Sequence, residues 1–510
     1  MKTLADLLER AGRQAPDLEA LVFEGRRVSY RDLLDRGRRL ANAVAGLGVR
    51  PQDRVGILAM NCPEYFDVYS ACHLAGFIIS TVNFRLAAPE VEFIVNDAAQ
   101  SVLIFEAQYA DLVDSIRDRL PSVHSFICIG EGPDWALDYE AVLQAASPAA
   151  PASRPAPDDA AQLIYTSGTT GRPKGVIRTH RAALSMAKSQ ALMLGLPVNG
   201  RILVMMPLFH LGAVSMVLPQ QLQCGTVILH RSFDAALILR DIEKEKPQTS
   251  HMAPTMVQMM LEQPDIERYD LSSLQTVCYS AAAMPVALLK RALEVFGPIF
   301  INSWGSTEGI GTELPKHFHK LEGTPRELSR LASIGQPQPG SEIRIIDDQG
   351  QDCPVGTPGE ILLKSDNLMS SYWNNSAATI EALRGGWYHS GDIAYADDEG
   401  FLFLVDRKKD MIISGGENIY SQEVEQALMQ HSGVFDCAVI GVPDEKWGEA
   451  VKAIVVPTKG QQVSIDDLKS HCEPLIARYK HPRSVAFVDE LPRLASGKVN
   501  KLDLRSQFRA

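Results

Sequence analysis

The sequence predicts an α/β protein of at least two domains, and three observations carry that expectation. Helix-length amphipathic stretches alternate with short apolar runs over the first 300 residues, which is the signature of largely parallel sheets flanked by helices. Beyond Pro337 the rhythm changes to short apolar runs separated by frequent turns. At 510 residues the chain is also too long for a single hydrophobic core, and its 45% hydrophobic content is ample for two or more. In order, Tyr30–Leu47 and Pro63–Ala75 have helical periodicity, while Arg54–Met60 and Ser101–Phe105 read as strands. Four prolines among Ala and Ser (Pro148, Pro151, Pro155, Pro157) mark 147–160 as a surface connection. A second α/β region runs from about Ile202 to Asn302. The runs Ser341–Ile346, Gly359–Lys364 and Phe401–Val405 form a smaller β-rich unit, and the tail from Met411 mixes strands and helices and could fold alone.

Charge and cysteine usage narrow the class of protein. A net charge of −12 argues against general binding of nucleic acid or anionic membrane. The charge is uneven: residues 407–510 hold fifteen Lys/Arg against fourteen Asp/Glu, so the deficit lies in the first 406. Such a near-neutral tail could face a polyanionic ligand, and an ordinary solvated surface explains it equally well. Eight cysteines stand apart with no C-x-x-C pair, which fits neither a disulfide framework nor a metal cluster. The first ten residues carry a charge at nearly every helical turn, unlike a signal peptide, and no apolar segment has membrane-spanning length. The expectation is a reduced, cytoplasmic protein without an integral membrane segment; peripheral contact stays open.

Tyr165–Gly175 packs four hydroxyls (Thr166, Ser167, Thr169, Thr170), three glycines (Gly168, Gly171, Gly175), Arg172 and Lys174 between two apolar runs. Glycines let a backbone approach an anion and turn its N–H groups toward it, hydroxyls donate further hydrogen bonds, and Lys174 adds a mobile cation. The segment reads as a phosphate cradle between two strands. It is not the nucleoside-triphosphatase phosphate loop: Pro173 stands where that template needs its second glycine, and Gly175 with a β-branched run follows Lys174. Three further clusters follow. Asn302-Ser-Trp-Gly-Ser-Thr-Glu-Gly309 comes after the apolar run Pro298–Ile301, at an expected strand end, where parallel α/β sheets collect ligands. Gly386–Asp392 precedes Phe401–Ile419, which contains Asp406-Arg-Lys-Lys-Asp410 and Ser414-Gly-Gly-Glu417. Near the C-terminus stands Leu491-Pro-Arg-Leu-Ala-Ser-Gly-Lys-Val499. Alone, Glu308 reads as a capping or surface carboxylate, Asp392 as a turn residue and Lys498 as a surface lysine; their order and spacing give them weight.

Together these motifs resemble the adenylate-forming superfamily of acyl-CoA synthetases, peptide-synthetase adenylation domains and luciferases, over Leu21 through Leu504. The resemblance implies a large N-terminal domain (1–406) of two α/β subdomains plus a small, distorted β-barrel, then a small mobile α+β domain (407–510). It implies that Thr166, Ser167, Gly168, Thr169, Thr170, Gly171 and Lys174 hold ATP phosphates, with Thr307 near the α-phosphate and Glu308 on Mg²⁺. A hard cation held by one carboxylate and phosphate oxygens is ordinary magnesium chemistry. Ser280, Ala281, Ala282, Ser303, Trp304 and Gly305 are implied around adenine and the acyl group, and Asp392 and Arg407 at the ribose. Ala281 replaces the family's usual glycine, and Trp304 its common Tyr. Lys409 matches the hinge, Gly415, Gly416 and Glu417 the coenzyme A tunnel, and Lys498 the adenylation lysine, whose charge offsets the charge building on the α-phosphorus. His210, in Met206-Pro-Leu-Phe-His, matches a gate beside the acyl pocket; a satisfied core or surface histidine is the competing reading.

The resemblance therefore implies an AMP-forming carboxylate–CoA ligase that uses ATP, Mg²⁺ and coenzyme A. The segments Leu211–Met216, Ser280–Ala283 and Ser303–Ser306 hold no cation for a second carboxylate and no acid for an amine, which favours an uncharged fatty or aryl acid over amino acids. The texture is similar to bacterial fatty-acid and hydroxycinnamate ligases. Partners are then the acid and coenzyme A, with a homodimer allowed. Two other readings share the motifs: a ligase loading a carrier protein in trans, and a nucleotide-binding regulator without catalysis, against which Glu308, Arg407 and Lys498 speak. A luciferase-like oxygenase is a rare use of the same scaffold.

Overall fold

The computed structural model describes residues 1–166, 173–280, 282, 284–414, 417–444, 446–461, 463–494 and 498–508, the side chain of Asn418 excepted. It forms two compact units. The first comprises Met1–Leu331, Pro337–Glu342 and Lys364–Gly386; the second comprises Ala332–Gln336, Ile343–Leu363 and Trp387–Ala510.

Two sheets form the first unit. One is built around the parallel strands Ile78–Thr81, Arg54–Leu58, Gln100–Glu106 and Ser125–Ile129. It continues from Ile78–Thr81 through β1 (Ala160–Thr166) to β2 (Lys174–Thr179), which pairs antiparallel. The other sheet has the parallel order Glu19–Phe23, Thr226–Leu229, Arg201–Val204, β3 (Thr249–Met252), β4 (Thr276–Tyr279) and β5 (Phe300–Ser306), with the antiparallel β6 (Gly309–Leu314) beside β5. Strands such as Ile78–Thr81, Thr226–Leu229 and β3 are buried at every position, as expected when helices cover both faces of a parallel sheet. The helices between the sheets include Tyr30–Gly46, Pro63–Ala75 and α1 (Leu211–Leu222), and their apolar side chains share one core with Ile57 and Ile79 of one sheet and Val204 and Leu229 of the other. Local chemistry fixes the helix ends. Ser29 and Asp32 make a reciprocal capping box, while Pro63 opens and Gly76, at φ 76°, closes the next helix.

One expectation is corrected here. The strand that should end near Ile301 runs on through Ser303, Trp304 and Gly305 to Ser306, because β6 folds back to ladder with it. A hairpin partner supplies backbone hydrogen bonds that an isolated strand end would lack, so polar residues there stay in the sheet.

In the second unit Gly359–Ser365, β7 (Tyr388–Ala396) and β8 (Leu402–Arg407) pair antiparallel in that order. The tail is a long hairpin, Val434–Asp444 with Gly448–Pro457, flanked by Ile412–Ser414, Glu417–Ile419 and the parallel Ser484–Phe487. Helices α2 (Ser421–Leu428) and Ile465–Cys472 cover one face through Val424, Leu428 and Leu468, and α3 (Lys501–Gln507) covers the other through Leu504. All eight cysteines are free thiols, and among the described residues no helix is long and apolar enough to cross a membrane.

Candidate active site

The phosphate-cradle segment is closed at its base by the last rungs of the β1–β2 hairpin, where Thr166 faces Lys174 and Tyr165 faces Gly175. Thr166 Oγ1 donates to the Lys174 carbonyl at 3.4 Å. Ser167, Gly168, Thr169, Thr170 and Gly171 lie outside the described residues. Gly175 is required by packing: a Cβ there would sit 2.7 Å from Leu163 Cδ1 and 3.2 Å from Trp373 Cβ. Lys174 carries its ammonium 5.0 Å from the centre of the Tyr372 ring, a cation–π contact that holds the charge at the mouth of the hairpin.

Tyr372 also donates its hydroxyl to Glu308 Oε1 at 2.7 Å. Thr307 and Glu308 form the turn between β5 and β6, both nearly buried, and the Glu308 amide donates to Ser306 Oγ at 3.3 Å. Gly305 makes the tight crossing possible, since a Cβ would fall 2.7 Å from the Gly309 carbonyl and the Ile310 Cα. The Met369 amide donates to the Glu308 carbonyl at 2.7 Å, fixing the turn against the segment that carries Tyr372. Ser303 and Trp304 stand in the ladder opposite Glu313 and Thr312, and both are buried.

Behind this turn lies a residue that the sequence reading passed over. Arg178, on β2, is completely buried; its Nη1 donates to the Thr307 carbonyl and its Nη2 to the Asn367 carbonyl, each at 3.0 Å. Burial pulls the guanidinium down to about 10, and the nearby Glu308 carboxylate works against that fall. The signal was present as an arginine at the end of Gly175-Val-Ile, where a strand leaving a surface loop normally turns its cation to water.

The strands β3, β4 and β5 are parallel neighbours, so their C-terminal ends share one edge, and that edge gathers His251, Ser280 and the Ser303–Thr307 stretch. His251, also missed in the sequence, is buried with Nε2 2.7 Å from Ser280 Oγ, and desolvation followed by the nearby His210 lowers its pKa to about 4, leaving a neutral ring. His210 caps α1, its Nδ1 accepting from the Gly212 amide at 3.2 Å. A Cβ at Gly212 would lie 3.5 Å from both His210 Nδ1 and His251 Cε1, so the two imidazoles converge over that glycine. Ala282 is exposed at the adjoining turn; Ala281 is outside the described residues.

In the second unit Asp392 on β7 and Arg407 at the end of β8 are directly opposed, and Arg407 Nε lies 2.9 Å from Asp392 Oδ1. Asp392, which read alone is a turn residue, stands in a strand. Lys409 is exposed in the turn that follows, which Asp410 and Met411 close with their amides on the Arg407 carbonyl. Lys498 is half-buried, and its carbonyl accepts from the Leu494 amide at 2.7 Å, beside the Arg493–Val499 bridge. Glu417 is exposed on a short strand opposite Ser414; Gly415 and Gly416 lie outside the described residues.

Comparison with known proteins gives the family. Residues 8–373 match the family model described as AMP-binding enzyme, and 423–498 match that of the AMP-binding enzyme C-terminal domain. The chain is 39% identical to a feruloyl-CoA synthase of Amycolatopsis sp, over 98% of each chain. It is 34% identical to a long-chain-fatty-acid–CoA ligase of Mycobacterium tuberculosis, over 100% of this chain and 99% of the relative. The structure of o-succinylbenzoate CoA synthetase from Bacillus subtilis, solved with its acyl-adenylate intermediate, superimposes with a TM-score of 0.86 at 31% identity, covering 99% of this chain and 98% of the other.

Proposed function

We propose that this chain, which belongs to the AMP-binding enzyme family and is an ATP-dependent acid–thiol ligase acting through an acyl adenylate, activates an uncharged aryl or aliphatic acid bound beside His210, His251 and Ser280. The observation that carries the assignment is the joined set of Lys174, Tyr372, Glu308 and Thr307, which puts a cation, a hydroxyl and a buried carboxylate on the edge where the acid would bind.

In the first half-reaction a carboxylate oxygen of the acid attacks the α-phosphorus of ATP, the bond to the pyrophosphate oxygen breaks, and acyl-AMP and pyrophosphate form. Lys174, with the hydroxyls of Thr166, Ser167, Thr169 and Thr170 and the glycines Gly168 and Gly171, holds the departing phosphates. The Thr307 hydroxyl donates to the α-phosphate, and Lys498 offsets the charge that grows as the carboxylate approaches it. Glu308 suits Mg²⁺, since its Oε1 is already oriented by Tyr372 and a carboxylate with phosphate oxygens is that ion's usual company; the ion would supply charge neutralisation on the triphosphate. Asp392, oriented by Arg407, accepts the ribose hydroxyls, and Trp304, Gly305, Ser303 and the Ser280–Ala282 turn line the adenine and acyl positions.

In the second half-reaction the coenzyme A thiol attacks the acyl carbon and AMP leaves with the bridging oxygen. We assign residues 1–406 and 407–510 as the two moving parts, with Lys409 as pivot and the Gly415–Glu417 loop along the thiol arm. An exposed turn residue absorbs a change of backbone angles at little packing cost. The test is pyrophosphate release with ATP and Mg²⁺ over a panel of aryl, aliphatic and amino acids, with and without coenzyme A. Turnover on an aryl or aliphatic acid, giving acyl-CoA and AMP and collapsing in Lys498→Ala, is the expected result. Adenylation without a thioester points instead to a carrier protein as acceptor, and turnover only on amino acids refutes the substrate class.

A further inference from the structure

Helix α3 begins three residues after Lys498, and one of its faces grips both ends of the turn segment Asp406–Asp410, which runs from the end of β8 and contains Lys409. Lys501 and Arg505, four residues apart, share that face. Lys501 Nζ lies 2.7 Å from Glu425 Oε1 and donates to Ser421 Oγ at 2.6 Å. The Ser421 hydroxyl in turn donates to Asp406 Oδ1 at 3.1 Å, and the Ser421 amide donates to Asp406 Oδ2. Asp406, almost completely buried, also accepts from the Arg407 amide at 2.7 Å. Arg505 Nη2 donates to Asp410 Oδ1 at 2.9 Å. Glu425 accepts a further bond from the Val439 amide at 2.7 Å, so the network is rooted in the long hairpin of the tail.

The two ends of the turn are not equivalent. Asp410, Ser421, Glu425, Lys501 and Arg505 all follow Lys409 in the chain, so a change of backbone angles at Lys409 carries them together and leaves the Arg505–Asp410 pair intact. Asp406 precedes Lys409. Its bonds to Ser421, and through that hydroxyl to Lys501, are therefore the contacts in this network that cross the pivot, and rotation has to break or rebuild them. A buried carboxylate does not give up charge-assisted bonds without cost, since truncating a partner leaves an unsatisfied anion. We infer that Asp406, Ser421 and Lys501 form a latch across the pivot, which holds the arrangement of this structure and makes Lys501 a positioning residue for Lys498. This rests on the reading of Lys409 as the pivot.

The latch predicts an unequal effect on the two half-reactions, because removing it destabilises one arrangement and not the other. Lys501→Met, Asp406→Asn and the milder Ser421→Ala, which keeps the Lys501–Glu425 pair, are to be compared with the unaltered full chain. Pyrophosphate release in single turnover without coenzyme A reports the first half-reaction, and thioester formation from supplied acyl-adenylate and coenzyme A reports the second. Pyrophosphate release, the half-reaction that uses Lys498, is expected to fall on the order of 10-fold in Lys501→Met and Asp406→Asn while thioester formation stays within about 2-fold, with Ser421→Ala shifting the ratio the same way and Lys501→Arg restoring it. An equal loss in both half-reactions, an unchanged ratio, or a loss confined to thioester formation overturns the latch. Lys409→Pro separates the two layers of inference. If it slows one half-reaction selectively and the latch variants do not, the latch alone is wrong; if it spares both, the pivot reading fails and the latch with it.

Discussion

Replacing Arg178 with methionine separates what the buried guanidinium does for the fold from what it does for the reaction. The side chain spans the Thr307 and Asn367 carbonyls at 3.0 Å each, and methionine, of similar length and without charge, leaves both buried acceptors unmet. An orphaned acceptor costs roughly 1–3 kcal/mol, so the pair costs about 2–6 kcal/mol. Against that, the burial that pulls Arg178 down to about 10 already costs the folded state about 3 kcal/mol, which the substitution returns. The two terms largely offset, and the net loss of stability comes to about −1 to 3 kcal/mol. Catalysis has no such offset. Arg178 fixes the backbone of Thr307 and the field behind Glu308, and a displacement near 1 Å at such groups costs on the order of 100-fold in rate. Thermal unfolding together with pyrophosphate release in the presence of the acid measures both quantities. The expected result is a folded protein with adenylation down about 100-fold, and a smaller recovery in Arg178→Lys, since one ammonium cannot reproduce a planar fork across two carbonyls. Adenylation within about 2-fold of the unaltered chain in folded Arg178→Met refutes the reasoning.

Two further outcomes follow from the same geometry. Tyr372→Phe keeps the ring beneath Lys174 but removes the hydroxyl from Glu308, a bond to a charged acceptor worth about 1.5–3 kcal/mol; adenylation should fall roughly 10- to 100-fold, read as pyrophosphate release across a magnesium titration. Burial holds the folded-state pKa of His180, His251 and His319 near 4, below an ordinary histidine, so from pH 6.5 down to 4 the unfolded chain binds more protons than the folded one. Their contribution is fully present above about pH 6.5 and is lost as pH falls, by up to about 1.4 kcal/mol per pH unit for each; urea unfolding of His319→Gln should show a shallower acid slope by one such step.

The α/β architecture was legible because its signals are local. Proline and glycine bracket Pro63–Ala75, Ser29 and Asp32 cap the preceding helix, and turn residues punctuate the β-rich segment. Compact motifs such as Ser306-Thr-Glu308 could be singled out for the same reason. What escaped depends on tertiary partners. Arg178 continues an apolar strand, and only the folded turn at Thr307 shows why a cation is buried there. Trp304 looked like the residue after a strand because β6, which keeps it in the sheet, comes later in the chain. His251 sits in a short strand with no motif around it, and acquires meaning only when β4 sets Ser280 beside it. Lys501 reads as one more cation near the terminus until Ser421 and Asp406 are brought to it from some eighty and ninety residues away.

The central claim is that the acid is activated as an acyl adenylate, and isotope transfer tests it most directly. A carboxylic acid labelled with ¹⁸O in both carboxyl oxygens is turned over with ATP, Mg²⁺ and coenzyme A, and the AMP is weighed by mass spectrometry. If a carboxylate oxygen attacks the α-phosphorus and leaves with it when the thiol attacks the acyl carbon, AMP carries one ¹⁸O and pyrophosphate none. Label in the pyrophosphate, or in inorganic phosphate formed with ADP, places the attack at another phosphorus and contradicts the account.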